Sequence, residues 1–80
     1  MIIKIEYKAR IRKDDELLLE LATANRKGSR AVRVSTIERW LRDDSPMLTT
    51  VTNLDIIKRR FNIKDNEELL EETIAEERSR

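Results

Sequence analysis

The chain has 80 residues, 39% apolar and 41% charged, with one glycine and one proline, so it makes one helix-rich domain over 1–80 and not a flexible linker. It has no cysteine and no histidine, which excludes disulfides, thiolate zinc sites and the common nucleophile–base pairs. The net charge of +1 conceals an asymmetry: residues 1–64 hold 15 Lys/Arg and 9 Asp/Glu, whereas 65–80 hold 2 Lys/Arg and 7 Asp/Glu.

A basic body with an acidic end suits contact with a polyanion. A non-enzymatic protein is therefore expected, with no cofactor, no metal and no small-molecule substrate. No apolar run is long enough to span a bilayer and the start lacks a signal-peptide block, so a cytoplasmic protein without membrane contact is expected.

At the N-terminus, Ile3, Ile5, Tyr7, Ala9 and Ile11 alternate with Lys4, Glu6, Lys8 and Arg10. This period of two predicts a strand over 2–12 with one buried face. A lone strand needs a mate. Residues 30–34 could supply it, or the same strand of a second subunit, which makes a homodimer through the N-terminal strand an expectation.

Residues 14–27 predict a helix, with Asp14 or Asp15 as cap and Leu17, Leu18, Leu21 and either Ala22 or Ala24 as its apolar stripe. Arg26 and Lys27 would occupy its last turn and Gly28 would stop it. The next helix runs from Ser35 to about Asp44, where Ser35 and Glu38 fit a capping box and Ile37, Trp40 and Leu41 share a core face. Pro46 breaks the pattern. Thr49 or Thr50 caps a further helix with the stripe Val51, Leu54, Ile57 and Phe61, closed by Asn62. Asp65 and Glu68 repeat the capping spacing before an acidic C-terminal helix over 65–80, with Leu69, Leu70 and Ile74 as its apolar side. The expected fold is mostly α, one N-terminal β-strand followed by four short helices.

Between positions 26 and 42 stand Arg26, Lys27, Arg30, Arg33, Arg39 and Arg42 against one acid, Glu38. Cations gathered at a helix start are what phosphate contact requires. The stretch AVRVSTIERWL…SPMLTTVTNLDIIKRRFNI resembles the lambda-repressor-like helix-turn-helix domains of phage repressors and mobile-element regulators. The match lies in Ala31 and Val32 at the turn, then Ser35, Thr36, Ile37, Arg39 and Trp40, and it covers about residues 14–72. The resemblance implies a helix-turn-helix core over 14–64, double-stranded DNA as partner and a recognition helix at about 34–44. Arg33, Val34, Ser35, Glu38, Arg39 and Arg42 would face the groove, with Arg39 on a guanine edge and Ser35 and Thr36 on phosphate or the helix end. Ile37, Trp40 and Leu41 would be core.

The chain departs from that pattern in one place. Leu21-Ala22 lies further from Ile37 than the family's spacing allows, so ANRKGSR reads as an insertion that lengthens the turn, with Arg26, Lys27 and Arg30 as a basic arm. Two other functions fit the sequence. In a ribbon-helix-helix arrangement, Lys4, Glu6, Lys8 and Arg10 on the paired strand would read the DNA. In a protein-interaction module, the Ile3/Ile5/Tyr7 strand edge or the acidic C-terminal helix would dock a partner.

Overall fold

The computed structural model of the chain describes residues 1–72. The fold is mostly α. A two-residue strand β1 (Ile2–Ile3) leads into helix α1 (Ile5–Arg12), followed by α2 (Asp15–Ala24), α3 (Val34–Arg42), α4 (Val51–Phe61), a single turn α5 (Asn66–Leu69) and strand β2 (Leu70–Glu71). No helix among the described residues is long and apolar enough to cross a membrane.

The predicted strand over 2–12 shrinks to Ile2–Ile3, and the rest of the alternating stretch is α1. An alternating pattern also places apolar residues four apart, so Tyr7 and Ile11 share a helical face as readily as a strand face. Glu, Lys, Ala and Arg between them are good helix formers. The helix buries Ile11 completely and half-buries Tyr7, while Ile5, on the supposed inner face, is 77% exposed.

The expected mate within the chain, residues 30–34, does not pair with the strand. β1 runs antiparallel to β2, Ile2 opposite Glu71 and Ile3 opposite Leu70, and the Lys4 N–H donates to the Leu69 carbonyl at 2.9 Å. The pairing closes the two ends of the domain onto each other. The strand thereby gains a mate within the chain. The acidic segment correspondingly turns extended at Leu70, burying Leu69 and Leu70 side by side, and is not one helix over 65–80. Ile74 and the remainder of that predicted helix lie outside the described residues.

The other boundaries follow local chemistry. Asp14 caps α2, its Oδ1 accepting from the Leu17 N–H at 3.2 Å. The helix ends at Asn25, so Arg26, Lys27 and Gly28 belong to the connection that follows it and not to its last turn. Of its expected stripe, Leu17, Leu18, Leu21 and Ala22 are buried and Ala24 is exposed. Thr50 caps α4 through the Asn53 N–H, and Asn62 adopts left-handed geometry at its end, where the Ile63 N–H reaches the Lys58 carbonyl at 2.8 Å. Val51, expected in the stripe of α4, is 86% exposed, and Ile56 takes the buried position.

Helix α2 is the hub: α1, α3 and α4 all pack on it. The core joins Leu17, Leu18 and Leu21 of α2 with Ile11, Ile37, Leu41, Leu48 and Ile57. Burying each such side chain contributes on the order of 1.5–3 kcal/mol.

Candidate nucleic-acid interface

Helix α3 divides sharply by face. Ile37 and Leu41 are buried and Trp40 is half-buried against the core, as expected, whereas Val34, expected to face the groove, is also half-buried against the core. Ser35, Glu38, Arg39 and Arg42 form the exposed stripe. Their spacing of three, four and seven residues places them one above another on a helix surface.

The capping box does not form. The helix begins at Val34, with Arg33 in the capping position two residues before Ser35 and no side-chain cap. Ser35 and Thr36 are thus already inside the first turn. The Thr36 and Ile37 N–H groups both donate to the Arg33 carbonyl, at 2.9 and 3.4 Å. The N–H groups of Val34 and Ser35 meet no acceptor among the described residues. An uncapped helix start leaves donors and the positive end of the helix dipole open to an anion. Glu38 likewise makes no capping bond and lies free on the outer stripe.

Two concavities flank this stripe. One is lined by Ser35, Thr36, Glu38, Arg39 and Arg42 together with Arg12 from the end of α1. The other lies between α3 and the preceding connection, where Lys27, Arg30, Arg33 and Arg39 surround Thr36 and the edge of Trp40. Arg39 and Thr36 belong to both. Six cations therefore converge around α3. Of these six, only Arg42 is ion-paired among the described residues, to the adjacent Asp43 at 3.2 Å, and both partners are exposed. Such a surface pair is weak and readily exchanged for a ligand anion.

Of the residues expected at the site, Lys27, Arg30, Arg33, Ser35, Thr36, Glu38, Arg39 and Arg42 are brought together. Arg26 is not. It lines a separate groove between α2 and α4 with Glu16, Glu20 and Asp55. Arg12 was not foreseen, because no local signal ties it to α3; the packing of α1 against α3 delivers it.

The alternative reading surface on Lys4, Glu6, Lys8 and Arg10 has no ribbon to stand on. Lys4 precedes α1 and the other three are helical. Lys8 is ion-paired to Asp44, and the Arg10 guanidinium stacks over the Phe61 ring at 4.4 Å and the Tyr7 ring at 5.4 Å. These side chains hold α1 to the domain.

Among the described residues, no group of three or more His, Cys, Asp or Glu converges so that it could hold a metal. Comparison with protein-family models, with curated proteins and with solved structures found nothing that matches this chain.

Proposed function

We propose that the protein is a non-enzymatic, sequence-specific DNA-binding regulator of transcription, repressor-like and of phage or mobile-element type, acting in the cytoplasm. The observation that carries this reading is the outer stripe of α3, uncapped at its start and ringed by six cations from three segments of the chain. A merely solvated helix has no need of cations gathered from α1, the connection and its own face. Nor does solvation explain the mixture of hydroxyls, one carboxylate and guanidinium groups at groove-reading spacing.

In the proposed complex, α3 lies in the major groove with its N-terminal end toward the bases. Lys27, Arg33 and Arg12 neutralise phosphates, and the free N–H groups of Val34 and Ser35 add to that contact. Arg39 takes a guanine edge in a bidentate contact, and Glu38 accepts from a cytosine amino group. The function is occupancy of the site, with no bond made or broken.

The test is binding to duplex DNA over a salt titration. Affinity falls steeply with salt, and Arg33→Ala lowers the log–log slope by about 1 without changing sequence preference. Arg39→Ala costs about 1–3 kcal/mol of discrimination at one position of the selected site. Absence of duplex binding at low salt would sink the proposal.

A further inference from the structure

The connection between α2 and α3 is folded, not slack. The Lys27 N–H donates to the Arg30 carbonyl at 2.7 Å, and the Arg30 N–H returns a bond to the Lys27 carbonyl at 3.1 Å. These two bonds close a tight turn over Gly28 and Ser29. Gly28 has φ +62°, the positive value that hairpin turns with glycine in the first central position require. The turn is tied to the scaffold on both sides. Asn25 is bonded to Asn53, and the Val32 N–H donates to the Ala22 carbonyl at 3.2 Å. Lys27 and Arg30 are exposed at its base and make no ion pair among the described residues.

A fixed basic turn beside a groove-reading helix has a geometric consequence. A duplex with a helix in its major groove presents a sugar–phosphate ridge along each side of that helix, and beyond the ridge lies the minor groove. The concavity between α3 and the turn is lined by Lys27, Arg30, Arg33 and Arg39, which suits such a ridge. The turn then stands on the far side of the ridge, over the minor groove.

We propose that the turn over residues 27–30 reads the minor groove next to the α3 site, with Arg30 as the inserted side chain and A·T-rich flanks as the preferred sequence. This inference rests on the assignment of α3 to the major groove. Arginine is the more weakly hydrated of the two cations and enters a narrow groove more readily, so Lys27 holds the phosphate. A·T tracts narrow the minor groove and deepen its negative potential, whereas a G·C pair places an amino group on its floor. The lengthened connection is in this view an added contact and not a tolerated insertion.

The test starts from a duplex site selected by the full chain from a random pool, with flanks then made of A·T, G·C or inosine·C pairs. Inosine·C keeps the major-groove pattern of G·C but lacks the minor-groove amino group. A·T and inosine·C flanks are expected to bind alike, and G·C flanks about tenfold more weakly. Arg30→Lys keeps the salt slope and loses most of the flank preference, and Lys27→Ala with Arg30→Ala lowers the slope by about 2 and loses all of it. Arg39→Ala keeps the flank preference while losing preference within the selected site. Circular dichroism checks that each variant stays folded. If G·C and inosine·C flanks bind alike, or if the flanks make no difference while the α3 site is still recognised, the minor-groove proposal is overturned and the α3 reading stands. Failure of the wild-type chain to bind any duplex overturns both.

Discussion

Asn25 and Asn53 exchange two side-chain hydrogen bonds, from Asn25 Nδ2 to Asn53 Oδ1 at 2.8 Å and from Asn53 Nδ2 to Asn25 Oδ1 at 3.2 Å. Each amide has a second anchor. Asn25 Nδ2 also donates to the Leu21 carbonyl at 2.6 Å, and Asn53 Nδ2 to the Met47 carbonyl at 2.9 Å. Asn53 is wholly buried, so its amide depends on these partners. The pair locks the end of α2 to the start of α4 and fixes the direction in which the basic connection leaves the scaffold. Asn53→Ala is expected to cost about 1–3 kcal/mol, since it strands the Asn25 oxygen and the Met47 carbonyl. Asn25→Ala followed by Asn53→Ala should cost less than the two added separately, which a urea-unfolding mutant cycle measures. Strict additivity would show that the bonds contribute nothing.

At the other end of the same two helices, Arg60 grips Asp14 through two hydrogen bonds, Nε to Oδ2 at 2.7 Å and Nη2 to Oδ1 at 3.0 Å. The Arg60 hydrogen bond, reinforced by the Leu17 N–H, holds the Asp14 carboxyl below its usual range despite an opposing contribution from burial. A carboxylate whose folded pKa is depressed adds stability that is present above its unfolded pKa and lost as pH falls through the folded one. The loss therefore begins below about pH 4. Urea midpoints measured from neutral pH downward should show a smaller acid-induced fall for Asp14→Asn than for wild type. Equal falls would exclude a contribution from this pair.

The two faces of α3 separate stability from recognition. Ile37→Ala is expected to lose about 2–5 kcal/mol, because Ile37 is completely buried in the core. Ser35→Ala should stay within about 0.5 kcal/mol of wild type, since Ser35 caps nothing. A capping serine in its place would cost about 1 kcal/mol. Thermal unfolding of the two variants distinguishes the cases, and a destabilised Ser35→Ala would reinstate the capping box.

Gly28 isolates backbone strain from packing. A methyl group added there meets nothing within 4 Å, so only the left-handed φ of +62° opposes it. Gly28→Ala should therefore cost on the order of 1 kcal/mol, and Gly28→Asn less, because asparagine tolerates this region better. Urea unfolding of both variants is the check. A neutral or stabilising alanine would mean that the turn does not hold this geometry in solution.

Much of the fold was legible in the residues themselves. Composition set a mostly helical class, and the pairs Asp14/Asp15 and Thr49/Thr50, with Asn62, marked helix ends that Asp14, Thr50 and Asn62 close through side-chain or left-handed caps of short range. The leucine stripe of α2 and the inner face of α3 followed from helical spacing, and the cation cluster at 26–42 was visible as a run of charge. Such features depend on neighbours within a few positions.

Everything that required distant residues was decided by tertiary packing. The alternating segment at 2–12 satisfied two periods at once, and the burial of Tyr7 and Ile11 selected the helix while β2 supplied the mate that β1 needed. Ser35 and Glu38 had the spacing of a capping box, but the extended Arg33 placed the helix start two residues too early to use it. Packing also moved Arg26 into the α2–α4 groove and brought Arg12 beside Arg39. The number of cations could be read along the chain. Which of them share one surface depends on how α1, α2 and α3 pack, and that is set by long-range burial.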